Sequence, residues 1–380
     1  MTTTINNEHK KLNVPNLRFP EFQGEWEKHK LSEICTFFSG GTPSSSNKEF
    51  YGGDIAFIRS GELHADSTEL FITQDGFDSS SAKMVEVGDL LLAMYGATSG
   101  DISISKIEGA INQAILCIRT KQNKKFIESV WNKHVSKILR KYLQGGQGNL
   151  SADIVKSISF SFPTLNEQEK IANLVSLLDE RIATQNKIIE DLKKLKSAIC
   201  KKLLCNDKWT TYKIQDIAEI GRGRVISSVE IDRQKHPLYP VYSSQTSNDG
   251  IMGYLDNYMF DGEYITWTTD GANAGTVFYR KGKFNCTNVC GTLKIQPKFD
   301  CYFVSLVLQQ ASQKYVSSNL ANPKLMNNTM ASIKIRMPNI ETQKQLSKVF
   351  QTLDSCLLAH QRTCKMYLSE KQYLLCQMFI

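Results

Sequence analysis

Side chains that can hydrogen-bond base edges or phosphates gather in a few glycine-rich stretches of this chain. In the first half these are Phe38-Ser-Gly-Gly-Thr-Pro-Ser-Ser-Ser-Asn47, Tyr95-Gly-Ala-Thr-Ser-Gly100 and Gln144-Gly-Gly-Gln-Gly-Asn149. In the second half they are Gly221-Arg-Gly-Arg224, Tyr242-Ser-Ser-Gln-Thr-Ser-Asn248, Trp267-Thr-Thr-Asp-Gly-Ala-Asn273 and Asn319-Leu-Ala-Asn-Pro-Lys324. Asn, Gln, Arg and Ser supply donors and acceptors for bases and phosphates, and glycine lets backbone approach a ligand closely. The candidate contacts are Ser39, Thr42, Arg59, Tyr95, Thr98, Gln147 and Asn149, then Arg222, Arg224, Ser243, Ser244, Gln245, Trp267, Asn273, Asn322 and Lys324. Lys133, Lys137, Arg140 and Lys141 follow a helical spacing beside one loop, as a phosphate clamp does; Lys137, Arg140 and Lys141 join the candidates. Taken singly, each loop also reads as an ordinary turn.

Catalytic patterns are missing. There is no G-x-x-x-x-G-K-[ST] loop and no G-x-G-x-x-G opening a helix after a strand. No Pro-Pro occurs, so the Asn/Asp-Pro-Pro-aromatic motif of amino-methyltransferases is absent. Glu190-Asp-Leu-Lys193 resembles a nuclease carboxylate-lysine pair but falls in a helical stretch, where charge is normally a solvated face. The six histidines are scattered. The ten cysteines form no C-x2-C pair, and Cys286 and Cys290 have no second pair beside them, so structural thiols are expected and no metal.

The elements that hold these loops occur twice. Ile158-Ser-Phe-Ser-Phe-Pro163-Thr-Leu-Asn-Glu-Gln168 returns as Ile333-Lys-Ile-Arg-Met-Pro338-Asn-Ile-Glu-Thr-Gln343, an offset of 175 residues. At that offset Ile171 meets Leu346, Leu178 meets Leu353 and Asp179 meets Asp354. Upstream, Gly88-Asp-Leu-Leu-Leu corresponds to Gly262-Glu-Tyr-Ile-Thr, Asn112 to Asn288 and Trp26 to Trp209. The division predicted is 1–165 and 206–337 for two similar domains, 166–205 and 338–380 for two helical segments.

Short apolar runs at Ile55–Ile58, Asp89–Met94, Ile102–Ile104 and Ala114–Ile118 predict strands, as do Tyr264–Trp267, Thr276–Tyr279 and Gly291–Ile295. Helices are expected at about 125–143 and 301–316. Residues 166–205 carry a heptad seam through Ile171, Val175, Leu178, Ile182, Ile189, Leu192, Ile199 and Leu203, interrupted by Gln185 and Lys196. The second seam is interrupted at the matching positions, His360 and Lys371. Polar seam residues specify register and partner, so these four are the candidate partner-binding residues. Asn166 with Glu169 reads as a capping box, and Thr342 as a weaker substitute in the second copy. Each helix reaches roughly 60 Å, and an antiparallel return would relate the two domains by a pseudo-twofold axis, spaced to reach successive DNA turns of roughly 34 Å. The fold class expected is α+β: two similar mixed α/β domains separated by two long antiparallel helices in a coiled coil.

A net charge of +8 is modest, but residues 111–165 carry nine basic against two acidic side chains, whereas 1–110 carry nine against sixteen. The basic segment is a candidate phosphate-facing patch, or else a solvated helix face. No apolar run approaches the roughly 18 residues of a membrane span, and the first thirteen residues lack a signal peptide's apolar core. A cytoplasmic protein is expected.

With Val14-Pro-Asn-Leu-Arg-Phe-Pro-Glu-Phe-Gln-Gly-Glu-Trp26, Pro163-x-Leu-x-Glu-Gln168-x-x-Ile171 and Tyr242-Ser-Ser-Gln-Thr-x-Asn-x-Gly-Ile-x-Gly-Tyr254, the chain resembles the specificity subunits of type I restriction-modification systems. That resemblance implies two target recognition domains reading a bipartite, asymmetric site in double-stranded DNA. It implies two methyltransferase subunits and two restriction subunits as partners. S-adenosylmethionine would belong to the methyltransferase, ATP and magnesium to the restriction subunit, and no cofactor or catalysis to this chain. The rival reading is a coiled-coil scaffold whose loops bind protein. A stand-alone nuclease or methyltransferase would instead require activity in the purified chain.

Overall fold

A computed structural model describes residues 12–142, 149–204, 207–317 and 322–380. The long helices are α1 (Lys124–Tyr142), α2 (Leu165–Leu203), α3 (Cys301–Ser312) and α4 (Ile340–Met378). The chain forms two compact units, residues 1–186 with 362–380 and residues 187–361. Each unit therefore contains one strand-rich domain together with part of α2 and part of α4. The helical segments are not separate bodies, because their apolar ends complete the domain cores.

In the first unit, β1 (Glu27–Lys30) pairs antiparallel with β10 (Ser159–Phe162). A four-stranded antiparallel sheet runs in the order β2 (Cys35–Ser39), β9 (Ile115–Thr120), β6 (Leu90–Ala93), β7 (Ile102–Ile104). A second sheet holds β4 (Phe71–Ile72), β3 (Tyr51–Ile58), β8 (Gly109–Ile111) and β5 (Lys83–Val85), with β3 and β8 parallel. Helix α1 turns Phe126, Ile127, Val130 and Trp131 onto the first sheet. Burying side chains of this size stabilises by about 1.5–3 kcal/mol each.

The second unit repeats this plan. β11 (Thr210–Lys213) pairs with β19 (Lys334–Met337), and the main sheet runs β12 (Ala218–Arg222), β18 (Cys290–Ile295), β15 (Glu263–Thr268), β16 (Val277–Lys281). A smaller sheet holds β14 (Ile251–Leu255), β13 (Tyr239–Tyr242) and β17 (Asn285–Cys286), again with one parallel pair. The repeat extends to single contacts: Trp26 meets Phe126 edge-on at 5.7 Å, and Trp209 meets Phe303 at 5.9 Å.

The two long helices pack antiparallel within each unit. In the first, Asp179, Arg181 and Asn186 of α2 meet Lys371, Tyr367 and Cys364 of α4, descending as α2 ascends. In the second, Lys196 of α2 meets Asp354, while Ile199, Leu204, Phe350 and Leu353 share one apolar cluster. The predicted caps differ from those observed. Helix α2 starts at Leu165, which leaves Asn166 inside its first turn. Helix α4 is capped by Asn339, whose side chain accepts the Thr342 N–H at 2.9 Å.

Each domain is fastened to its helix by a glutamine. Gln168 Nε2 donates to the Pro163 carbonyl at 2.9 Å and to Gln122 Oε1 at 2.8 Å, while its own Oε1 accepts the Asn123 N–H at 3.1 Å. Gln343 repeats this, with Nε2 on the Pro338 carbonyl at 2.8 Å and Oε1 on the Asp300 N–H at 3.0 Å. Asn123 and Asp300 in turn cap α1 and α3 through the Phe126 and Phe303 N–H groups. Beside Gln168, Glu167 is 1% exposed; Arg18 grips it bidentately at 2.8 and 2.7 Å.

Candidate nucleic-acid interface

In each domain the polar loops lie at one end of the main sheet, where two strands finish and two begin. In the second domain Arg222 ends β12. Its guanidinium donates to Thr269 Oγ1 at 3.1 Å and to the Asn288 carbonyl, and lies 3.7 Å from the Asp270 carboxylate. Asn273 Nδ2 donates to the Ser244 carbonyl at 3.0 Å, joining the loop after β15 to the loop after β13. The Gly271 N–H bonds the Pro323 carbonyl at 3.0 Å, and the Leu325 N–H bonds Thr269 at 2.7 Å, which brings in Asn322 and Lys324. Arg222, Ser243, Ser244, Gln245, Asn273, Asn322 and Lys324 thus share one rim. Gln245 donates one of its two amide N–H groups to the Ile251 carbonyl, so it still offers the rim a donor and its oxygen.

In the first domain Thr42 and Tyr95 both donate to Gln113, one to its side-chain oxygen and one to its carbonyl. Leu150 donates its N–H to Met94 at 2.7 Å, which seats Asn149 beside the same loop, and the Asp101 N–H returns to the Thr98 carbonyl at 2.9 Å. Ser39, Thr42, Tyr95, Thr98, Asn149 and Gln113 therefore form the corresponding rim. None of these six carries charge, whereas the second rim holds Arg222 and Lys324.

Several expectations need correction. Trp267 is 0% exposed: it is the last inward side chain of β15, packs in the apolar core and donates its indole N–H to the Leu325 carbonyl at 2.8 Å. A Cβ at Gly291 would come 2.2 Å from its ring, so the aromatic is walled in and cannot stack on a base. Arg59 pairs with Glu62 at 2.7 Å, beyond the end of β3 and off the main sheet. Arg224 pairs with Glu230, with Nη1 at 2.9 Å, which holds Glu230 below its ordinary range. Lys137 and Lys141 are exposed but line a groove of about 470 Å³ with Lys28, His134, Ser159 and Ser161, not the rim. Arg140 is exposed and donates from Nε to the Ser136 carbonyl of its own helix at 3.1 Å, which leaves its terminal nitrogens as a candidate contact. Gln147 lies outside the described residues.

Of the seam residues, Lys196 and Lys371 are satisfied inside the chain by Asp354 and Asp179, which replaces the expectation that they face another protein. Gln185 and His360 are half-buried in the seam. Sequence reasoning missed Gln113, Thr269 and Asn288. Gln113 had a usable signal, a polar pair between the apolar runs of β8 and β9, and Asn288 had its match to Asn112. Among the described residues no cluster of His, Cys, Asp and Glu could hold a metal, and no helix is long and apolar enough to cross a membrane.

A sequence model of the "Type I restriction modification DNA specificity domain" matches residues 23–194 and again 206–365. A Mycoplasma pneumoniae protein named as a type I specificity subunit is 40% identical over 202 residues, covering 50% of this chain and 81% of that protein. The MpnII specificity subunit of the same organism is 43% identical over 145 residues, 38% of this chain and 43% of its own. Among solved structures, the type I S subunit of M. genitalium aligns with a TM-score of 0.71 at 17% identity, covering 97% of this chain and 99% of that one. At that identity the likeness establishes the fold.

Proposed function

Since the chain belongs to the type I restriction-modification DNA specificity family, we propose that it is the non-catalytic subunit that reads a bipartite, asymmetric DNA target. Target recognition resides in residues 1–165 and 206–337, one half-site to each. The helical segments 166–205 and 338–380 hold the two readers and recruit methyltransferase subunits. S-adenosylmethionine then sits on the methyltransferase, and ATP with magnesium on a restriction subunit that joins the complex, in the cytoplasm.

One observation carries this reading: the same sheet-end rim is built twice, with different side chains. A repeated scaffold with unlike rims suits a target whose halves differ. The uncharged first rim suits base edges, and the second adds cations suited to phosphates. The two helices, 39 residues and roughly 58 Å each, contribute residues to both units, and on this reading the spacing of the half-sites follows their length.

The test inserts four residues near Gln185, with a matching insertion near His360, and maps methylated sites in cells carrying the whole complex. Altered spacing between otherwise unchanged half-sites is the expected result. Unchanged spacing would refute the ruler. Titrating the complex against salt separates DNA reading from a protein-binding scaffold, because phosphate contacts give a steep dependence.

A further inference from the structure

Arg280, on β16, belongs to no motif and to no part of the rim, yet it is 7% exposed. Its guanidinium carbon sits 3.6 Å from the ring centre of Tyr242 and 4.4 Å from that of Phe278. Nη2 donates to the Asp249 carbonyl at 2.7 Å, and Nε lies 3.3 Å from Thr266 Oγ1. Burial pushes its pKa down, a measure of how far this cation has been taken out of water.

The carbonyl it holds belongs to strained backbone. Asn248 and Asp249 have φ of 50° and 51°, and Gly250 follows at 81°. Asn and Asp tolerate this region better than other residues with a Cβ, but two in succession still store strain that surrounding contacts offset. The loop is closed by the Ser243 N–H on the Gly250 carbonyl at 2.8 Å and is tied at Ser244 to Asn273. Arg280 lies directly beneath: a Cβ at Gly250 would stand 3.3 Å from its Nη2.

Among the described residues the first domain has no arginine at the matching position. Leu92 pairs with Ile102 as Trp267 pairs with Val277, an offset of 175 that shifts by one the register read from the sequence at Gly88 and Gly262, so Arg280 corresponds to Ser105 and Thr266 to Leu91. Leu91 lies in an apolar cluster with Ile58, Val85 and Ile111.

We propose that Arg280 is a positioning residue for the second half-site: it fixes the left-handed Asn248–Asp249 turn from below, so that Ser243, Ser244 and Gln245 meet the DNA already in shape. This rests on the rim facing DNA. The first half-site, read without a buried guanidinium, is independent of it.

The experiment uses the full complex with its methyltransferase subunits, once modification mapping has given the target. Binding is measured on the cognate duplex and on duplexes with either half-site scrambled. Arg280→Met, which keeps most of the packing, is expected to lose discrimination at the second half-site by about tenfold, and discrimination at the first half-site stays as in the parent. Adding Asn248→Gly and Asp249→Gly, which remove the strain the arginine offsets, should restore part of the loss; a purely core-packing role would not be rescued at the loop. Where Arg280→Met does not fold, Arg280→Lys, which keeps the charge but not the forked donors, is measured in its place with the same glycine rescue. Parent-like discrimination at the second half-site in the folded variant overturns the proposal, as does failure of the glycines to rescue. Asn273→Ala and Gln245→Ala serve as the control: if they lower discrimination and the Arg280 variant does not, only the positioning role fails. If all leave it unchanged, the DNA-facing rim itself fails.

Discussion

Lys371 Nζ lies 2.5 Å from Asp179 Oδ1, and the 175-residue offset carries this pair onto Lys196 and Asp354, which also meet. The same ion pair therefore forms in both units, each time between α2 and α4. The third member differs: Lys125 of α1 reaches Asp179 at 2.7 Å, whereas Tyr302 of α3 donates its hydroxyl to Asp354 at 2.5 Å. Each carboxylate ties two packed long helices to the first turn of a domain helix.

A double-mutant cycle measures this tie. Asp179→Ala leaves two partly buried lysines facing each other and is expected to cost about 1–3 kcal/mol. Adding Lys371→Ala should cost less than the sum of the single changes, as coupled neighbours do. Urea denaturation followed by circular dichroism checks it, and strict additivity would show that the pair is uncoupled.

The same carboxylate predicts an acid response. Burial acts to raise Asp179, but hydrogen bonds and charges from Lys125 and Lys371 outweigh it and hold the group below its ordinary 3.8. A group depressed in the folded state stabilises above its unfolded pKa, and that stability is lost as pH falls through the folded value. Asp179→Asn should therefore lose less stability than the parent on acidification below about pH 4, in thermal melts at constant ionic strength.

Gln343→Ala breaks the junction between the second domain and α4. It leaves the Asp300 N–H and the Pro338 carbonyl without their bonds, at a cost of about 1–3 kcal/mol. Gln343→Glu keeps the acceptor for Asp300 but loses the donor to Pro338, so an intermediate melting temperature is expected in calorimetry.

Arg222 and Arg224 look alike in the sequence and should behave differently. Arg222→Ala is expected to weaken binding of the complex to DNA and lower the salt slope by about one unit, as loss of one phosphate contact does. Arg224→Ala frees Glu230 and should leave the slope nearly unchanged. Equal slopes for parent and Arg222→Ala would take Arg222 off the phosphates.

Gln113→Ala removes the side-chain oxygen that holds Thr42 and keeps the carbonyl that holds Tyr95. Discrimination at the first half-site should fall by about tenfold, with melting temperature and second half-site discrimination unchanged. Competition binding with half-site variants reads all three.

Much of the architecture could be read from contiguous residues. The heptad seams of α2 and α4, the strands around Ile102 and Cys290, and the register shared by Pro163 and Pro338 are local periodicities, and local periodicity survives in a bare sequence. The interruptions at Lys196 and Lys371 were visible too. Their purpose was not, because the carboxylates that answer them lie 158 and 192 residues away along the chain.

The rim was legible in kind and not in membership. Polar, glycine-rich loops announced themselves, but whether a given side chain in them is free depends on what distant chain brings against it. Trp267 reads both as the last residue of a strand and as the first of a polar loop, and proves to be core, because alternation along β15 turns it inward. Arg224 reads as its neighbour's twin and is drawn off by Glu230, while Arg280 carried no local signal at all. Repeat, helix and strand follow from side chains near in sequence; exposure, ion pairing and loop shape follow from desolvation by residues far away in it, which folding alone assembles.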